Sequence, residues 1–299
     1  MGNSAEEAKV VDLVDRVQTG RHEAEFPSES SVPVKHFKLH VNPFMDNVNP
    51  NFFFRTEAHE DAYIKMKKCI EDDISLGLTT AVSGTGKTLL TQILLTELHT
   101  ARHKVILCLV YPQMTRSALL KEIVNELGLK SLGPRPLVHT MVSIIHEEII
   151  KLYKRHIKLV IIIDEVHFLK ADSLHILRTL SNIEVPEKKL VTILLFGEDT
   201  FLERMHHPSY RSLFSRMFIR ARLRPLSREE VEQYVKFRCL VAGGSPQLFV
   251  SDTFDLIFDY AMGSPREVNR VCHNALIESA KLRKPSVDRS VIESIIKSW

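Results

Sequence analysis

The amino-acid sequence predicts an α/β fold in which a parallel sheet carries helices on both faces, followed by a small all-helical domain. Three observations lead to this prediction. Strand-like runs that are apolar throughout alternate with helical segments between residues 57 and 196, which is typical of a parallel sheet buried on both faces. A glycine-containing loop joins the first strand to the next helix. After residue 226 the strand pattern stops, and helical segments follow.

The elements of the sheet domain follow one another in regular alternation. Strands are predicted where apolar residues run together, at 76–82, 104–110, 159–163 and 190–196. Helices are predicted where apolar residues recur every three or four positions, at 57–72, 88–100, 117–127, 137–155 and 171–182. Residues 227–299 have the pattern of further helices, with breaks at 243–244, 263–265 and 285.

An N-terminal tail is predicted to precede the sheet domain. Residues 1–40 carry five basic and seven acidic residues around a polar stretch. We therefore assign residues 1–40 to a partly flexible tail, 41–225 to the sheet domain and 226–299 to the helical domain. Two interpretations stay open for one apolar stripe in the tail, which either packs on its own domain or binds a partner. The stripe consists of Val10, Val11, Leu13, Val14 and Val17.

Composition excludes several classes of protein. Of the 299 residues, 44% are hydrophobic and 26% are charged, which excludes wholesale disorder and collagen-like chains. The four cysteines lie far apart in no CxxC motif, so reduced thiols are expected rather than a zinc site or a disulfide framework. The first residues carry two glutamates where a signal peptide has basic residues, and they lack its apolar core, so we do not expect a signal peptide. No apolar run approaches the roughly 20 residues that cross a bilayer. We expect a cytoplasmic protein with no direct membrane insertion.

The loop after the first strand predicts a phosphate-binding site. Its sequence from residue 81 is AVSGTGKT, in the strand-to-helix context of a phosphate-binding loop. Backbone N–H groups of such a loop surround phosphate oxygens, and the helix N-terminus presents its positive dipole end to the same anion. We expect Lys87 to reach the outer phosphates of ATP and Thr88 to bind Mg²⁺ through its hydroxyl. The predicted nucleotide contacts are Ala81, Ser83, Gly84, Thr85, Gly86, Lys87, Thr88 and Leu89.

Ala81 departs from the usual form of this motif. The motif begins with glycine, and this sequence has alanine at that position. Because glycine tolerates backbone conformations that alanine does not, the departure leaves open whether the strand-to-loop turn is strained or the nucleotide affinity is lowered.

Two carboxylates at the end of an apolar strand predict the second half of the site. Asp164 and Glu165 follow the run 159–163, at the carboxyl end of a predicted parallel strand. We expect Asp164 to hold Mg²⁺ and Glu165 to activate the water that attacks the γ-phosphate. The alternative is that both residues only solvate the strand end. His167 is predicted either to position Glu165 or to pack on the following turn.

Taken in order, these motifs resemble the ExeA/GspA-like branch of the AAA+ ATPases, which is related to transposition ATPases of the TnsC and MuB kind. The resemblance covers roughly residues 41–299. The matching segments are NPF at 42–44, EAH at 57–59, the phosphate loop, Asp164 with Glu165, LSNIE at 180–184, SR at 215–216, LRPL at 223–226 and GSPREVNRVC at 263–272.

The resemblance implies a ring- or filament-forming ATPase whose nucleotide lies between subunits of a homo-oligomer, with a helical lid domain. Arg266 matches the lid arginine that touches the γ-phosphate. Arg216, with Arg211 as the alternate, looks like the arginine that reaches a neighbouring subunit's nucleotide. For each arginine the alternative is an ordinary surface salt bridge. Family members often have Gln-Pro after the glycine that ends the fourth core strand, whereas here Glu198 follows Gly197. Glu198 therefore matches the family's polar sensor residue in position but not in residue type.

Two interpretations stay open for the partner on which this ATPase acts. Arg220, Arg222 and Arg224 alternate, so an extended chain places all three on one face, where they suit the phosphates of duplex DNA or form a basic strand edge. The sheet domain carries 25 basic and 20 acidic residues, which permits DNA binding. A DNA transposition regulator that recruits a transposase is one alternative, and a secretion or envelope-assembly ATPase acting through a membrane partner is the other. Secretion-linked members of this family usually continue into a membrane span, whereas the sequence here ends after the helical domain. We therefore expect a free-standing ATPase.

Overall fold

A five-stranded parallel sheet forms the centre of residues 57–224, as the sequence predicts. The computed structural model describes residues 32–47, 49–98, 101–129, 133 and 136–299. The strands are β1 (Leu76–Ala81), β2 (His103–Leu109), β3 (Lys158–Asp164), β6 (Val191–Glu198) and β7 (Met217–Leu223), and a small antiparallel hairpin consists of β4 (Glu184–Val185) and β5 (Lys188–Lys189). Their spatial order is β2–β3–β6–β1–β7, and every neighbouring pair is parallel.

Helices cover both faces of this sheet. Successive residues of a strand point to opposite faces, and in β3 the side chains of Leu159, Ile161 and Ile163 join one core while Val160 and Ile162 join the other. The first core is closed by α4 (Arg116–Glu126), α5 (Val138–Lys154), α6 (Ala171–Leu180), α7 (Asp199–Met205) and α8 (Arg211–Phe214). The second is closed by α2 (Glu57–Glu71) and α3 (Lys87–Leu98).

The observed elements match the predicted strands and helices of the sheet domain to within a few residues. The sequence pattern did not separate the β4–β5 hairpin, the short helices α7 and α8, or β7 as a fifth strand. β7 lies at the sheet edge beside β1, where only one of its faces is packed. An edge strand of this kind shows an alternating pattern rather than a continuous apolar run.

A second compact unit comprises residues 225–299 together with the described part of residues 1–56. Its helices are α1 (Val32–His36), α9 (Arg228–Val241), α10 (Phe254–Ala261), α11 (Pro265–Lys281) and α12 (Arg289–Lys297), which confirms the predicted all-helical C-terminal region. Helix α9 begins with a capping box, in which Ser227 and Glu230 satisfy each other's backbone N–H groups.

Residues 32–56 pack with this C-terminal unit, whereas the sequence assigned 32–40 to a tail and 41–56 to the sheet domain. Phe44 and Phe52 are buried in the same core as α9 and α11. The buried Arg238 of α9 donates Nε–H to the carbonyl of Pro43 at 2.5 Å, and its guanidinium lies 4.8 Å from the ring of Phe52. The apolar stripe between Val10 and Val17 lies outside the described residues.

None of the helices in the described part of the chain combines the length and the apolar character needed to span a membrane.

Candidate nucleotide-binding site

The loop between β1 and α3 has the backbone form that phosphate binding requires. Gly84 and Gly86 have φ angles of +79° and +100°, in the left-handed region that favours glycine. The hydroxyl of Thr85 donates to the carbonyl of Val82 at 2.7 Å and closes the loop on itself. Helix α3 begins at Lys87, so the positive end of its dipole lies at the loop, and a helix end of this kind favours an anion.

Ala81 is accommodated as the last residue of β1. Its side chain is fully buried, and its backbone is in register with Glu198 of β6 on one side and Leu223 of β7 on the other. It is not among the residues with positive φ. The strand-to-loop turn is therefore unstrained at this residue, because its conformation is one that alanine adopts readily.

Helix α3 and strand β3 bring Thr88 and Asp164 together. The Thr88 hydroxyl donates to Asp164 Oδ2 at 3.2 Å, and the backbone N–H of Glu165 donates to Asp164 Oδ1 at 2.9 Å. Asp164 is 2% exposed, and burial raises the pKa of its carboxyl, an effect that the hydrogen bonds and Lys87 partly offset. The sequence separates these two residues by 76 positions, and the parallel sheet joins them.

These residues fit a magnesium ion. Mg²⁺ is a hard cation that prefers oxygen ligands, and the Thr88 hydroxyl and the Asp164 carboxylate supply oxygen atoms side by side. A carboxyl whose pKa is raised by burial gains most from a cation that stabilises its charged form. The ammonium-bearing Lys87 is also buried, at 5% exposure, in the first turn of α3.

Glu165 is held in an unusual conformation next to Asp164. Its backbone is left-handed, with φ +57° and ψ +36°, which is uncommon for a residue with a side chain. Its Oε2 atom is buried and makes no hydrogen bond to any described residue, although His167 Nδ1 lies 3.2 Å away. A strained residue with an unsatisfied carboxylate oxygen is typical of a functional site.

His59 supports the phosphate loop from α2, and the sequence interpretation gave it no role. Its ring is buried, and Nε2 lies 2.9 Å from the carbonyl of Thr85. A Cβ atom added to Gly86 would lie 3.1 Å from the same Nε2, so the ring packs directly beneath the loop. The signal was present in the sequence, because His59 stands three residues before Ala62 on the buried stripe of α2.

The chain is similar in sequence and in fold to known proteins. A family model described as an AAA domain matches residues 71–205, which include the phosphate loop and both carboxylates. General secretion pathway protein A from Aeromonas hydrophila is 30% identical over 244 residues, covering 81% of this chain and 44% of that protein. The chain is an ExeA/GspA-like AAA+ protein. It therefore belongs to a group of P-loop NTPases, and it spans less than half the length of this curated relative.

Solved structures show the same fold for this AAA+ protein at low identity. The Aeropyrum pernix ORC2 protein in ADPNP and ADP complexes is 17% identical with a TM-score of 0.65, and the match covers 86% of this chain and 71% of that one. A Thermotoga maritima RuvB mutant is 14% identical with a TM-score of 0.53, covering 83% and 70%. At these identities the likeness concerns the fold alone.

The AAA+ protein places its three candidate arginines at exposed positions. Arg211 begins α8, and Arg216 follows that helix just before β7. Arg216 donates through Nη1 to the side-chain oxygen of Asn182, which is a neutral partner. Arg266 lies in the first turn of α11, in the C-terminal unit. Their roles toward a nucleotide stay predictions, as do those of Ser83, which is exposed, and Leu89, which is half-buried in the first turn of α3.

The exposed face of β7 carries the predicted basic stripe. Arg220, Arg222 and Arg224 lie on one face together with Phe218, which is 80% exposed. Arg220 lies 4.0 Å from the ring centroid of Phe214, and Arg222 pairs with Asp199 through two contacts of 2.7 and 3.1 Å. The stripe is therefore partly engaged within the protein.

Proposed function

We propose that the protein is a Mg²⁺-dependent ATPase that converts ATP to ADP and phosphate, and that its ATP-bound homo-oligomer acts as a switch or assembly ATPase for a partner machine. The observation that supports this most is the contact between Thr88 and Asp164 at 3.2 Å, with Glu165 next in the chain. This contact joins the first turn of α3, directly after the phosphate loop, to Asp164, the last residue of β3.

Each residue has a distinct role in this proposal. The loop N–H groups and the Lys87 ammonium bind the phosphates, and the Glu165 carboxylate orients the attacking water and accepts its proton. Thr88 and Asp164 would hold Mg²⁺, which when bound neutralises charge on the phosphate oxygens. Arg266 is proposed to contact the γ-phosphate within the subunit, and Arg216, or Arg211, to contact the nucleotide of a neighbouring subunit.

Two variants test the enzymatic part. Lys87→Ala is expected to abolish binding of a fluorescent ATP analogue, whereas Glu165→Gln is expected to keep binding and lose phosphate release by about 100-fold or more, since a general base contributes about 10²–10⁴-fold. Glu147→Gln, on an exposed position of α5, is the matched control. Unchanged turnover in Glu165→Gln, measured with Mg²⁺ and excess ATP, rejects the role assigned to Glu165.

Mixed oligomers test the proposed contact between subunits. Glu165→Gln subunits keep Arg216, and Arg216→Ala subunits keep Glu165, so a mixture contains interfaces with both groups intact. We expect each variant alone to be inactive and the mixture to recover turnover. The same mixture made with Arg211→Ala distinguishes the two arginines. Arg155→Ala, in the same unit, serves as a control whose activity should not change.

Two kinds of client are proposed, and one experiment separates them. The exposed arginines and Phe218 of β7 favour duplex DNA, with a transposase as the recruited protein. The likeness to general secretion pathway protein A favours a secretion component instead. Salt-dependent, ATP-dependent binding to duplex DNA that is lost in an Arg220→Ser/Arg224→Ser variant, but kept in Lys151→Ser/Lys154→Ser, supports the first. No binding at low salt with ATP rejects it.

Location in the cytoplasm is the last part of the proposal. The four cysteines, Cys69, Cys108, Cys239 and Cys272, are all buried as free thiols, and reduced thiols are typical of cytoplasmic proteins.

A further inference from the structure

We propose that His167 is a positioning residue that alternately holds and releases the Glu165 carboxylate, in exchange with the backbone N–H of Glu198. This inference rests on the ATPase function proposed above and adds a control element to the same site. It concerns three groups that the fold brings to one point: the Glu165 carboxylate, the His167 ring and the end of β6.

A single ring nitrogen of His167 faces two partners. Nδ1 lies 3.2 Å from Glu165 Oε2 and 3.4 Å from the backbone nitrogen of Glu198. The Glu165 oxygen is an acceptor that has no hydrogen bond to any described residue. The Glu198 N–H is a donor. The ring is mostly enclosed, with 13% of the His167 side chain exposed, so few water molecules can replace either partner of Nδ1.

The two partners make opposite demands on Nδ1. An imidazole nitrogen that carries a proton donates, and one that lacks a proton accepts. With the proton on Nδ1, the ring donates to Glu165 and fixes its carboxylate. With the proton elsewhere, Nδ1 accepts the Glu198 N–H and leaves Glu165 unheld. Because one nitrogen cannot do both, holding Glu165 and bonding β6 are mutually exclusive.

The backbone around His167 is held in place by its neighbours. Which partner Nδ1 bonds therefore depends on where the ring carries its proton and on the position of the Glu165 side chain. Arg204 of α7 donates to the carbonyls of His167 and Leu169 at 2.9 and 2.8 Å. On the other side, a Cβ atom added to Gly197 would lie 2.8 Å from the Val166 side chain. The segment after β3 is therefore clamped between α7 and the end of β6.

The register of the sheet connects this exchange to the phosphate loop. Glu198 is in register with Ala81, the residue at which the phosphate loop leaves β1. In this proposal, a movement of the loop on binding or losing the γ-phosphate would reach the end of β6 through this backbone pairing. It would change the distance between the Glu198 N–H and His167, and therefore the hydrogen bond that holds Glu165.

Two amide substitutions test which ring nitrogen matters. The side-chain amide of asparagine lies near the position of Nδ1, and that of glutamine reaches the position of Nε2. We expect His167→Asn to keep kcat within about threefold, and His167→Gln and His167→Ala to lower kcat by about 10- to 100-fold, the range that small misplacements of a reacting group cause. KM for ATP and affinity for an ATP analogue are expected to change by less than about twofold, because His167 is proposed to act on Glu165 alone.

The controls separate this inference from the function on which it rests. His146→Asn and His146→Gln, on an exposed position of α5, should leave kcat unchanged. A wild-type protein that does not hydrolyse ATP rejects the proposed function. A wild-type protein that does, with His167→Asn as slow as His167→Gln, or with all three His167 variants at the wild-type rate, rejects the role of His167 and leaves the ATPase function in place.

A measurement on the wild-type protein covers the case in which a variant does not fold. Nitrogen-15 spectra of histidine-labelled full-length protein report whether Nδ1 of His167 carries a proton. We expect the Nδ1 resonance to differ between the ADP-bound state and the state bound to a non-hydrolysable ATP analogue. The same resonance position in both states overturns the proposed exchange.

Discussion

His59 offers the sharpest test of how the fold prepares the phosphate loop. Its Nε2 donates to the Thr85 carbonyl at 2.9 Å, an ordinary hydrogen-bond length, and both residues are buried, at 4% and 1% exposure. His59→Leu removes the donor and leaves the carbonyl facing an apolar side chain. A buried polar group that loses its partner costs about 1–3 kcal/mol.

This cost sets the expected loss of affinity. The loop of the variant relaxes to solvate the Thr85 carbonyl, and nucleotide binding must restore the original conformation. The dissociation constant for an ATP analogue should therefore rise by about 5- to 150-fold, which corresponds to about 1–3 kcal/mol. Titration with a fluorescent analogue in the presence of Mg²⁺ measures it. Urea denaturation of the ligand-free protein shows whether the variant remains folded.

Matched variants make the reasoning refutable. His59→Gln places an amide nitrogen near the position of Nε2 and should recover most of the affinity, whereas His59→Asn, whose amide is too short, should not. His139→Leu, at an exposed position of α5, is the control for loss of a histidine. If His59→Leu binds nucleotide as tightly as the wild type, the loop does not depend on this hydrogen bond.

Three further substitutions test other contacts of the structure. Burial raises the pKa of Asp164 above its ordinary 3.8, so the charged carboxyl opposes folding once the pH exceeds that value. Asp164→Asn should therefore stabilise the ligand-free protein at pH 7, and this gain in stability should disappear below about pH 3.8. The same variant should lose Mg²⁺-dependent turnover. Equal urea midpoints at pH 7 contradict this. Gly197→Ala, which places a methyl group 2.8 Å from Val166, should lower stability by about 1–3 kcal/mol and slow turnover with affinity unchanged. Arg238→Met leaves the Pro43 carbonyl without its donor and should lower the free energy of unfolding, measured in urea, by about 1–3 kcal/mol. Wild-type stability of this variant means that the hydrogen bond from Arg238 contributes nothing to holding residues 42–44.

Local chemistry explains why much of the fold and half of the site were predictable from sequence. A phosphate loop needs glycine where φ is positive, as at Gly84 and Gly86, and a lysine at the start of the following helix. The carboxylates Asp164 and Glu165 can be recognised because they directly follow the apolar run of a strand. Strands buried on both faces must be apolar throughout. Each of these requirements falls on neighbouring residues, so a linear pattern displays it.

The tertiary structure decided what depends on residues far apart in the chain. His59 meets Thr85 across 26 positions, His167 meets Glu198 across 31, and Arg238 meets Pro43 across 195. Helical periodicity places His59 on the buried stripe of α2, but periodicity in a single segment does not name the distant residue that a histidine or arginine contacts. The sequence by itself determined the nucleotide-binding motifs and the α/β class. Only the packed chain decided that His59 supports the phosphate loop, that one nitrogen of His167 faces both Glu165 and Glu198, and that residues 32–56 belong with the C-terminal helices, since burial and hydrogen-bond partners exist only once distant segments are in contact.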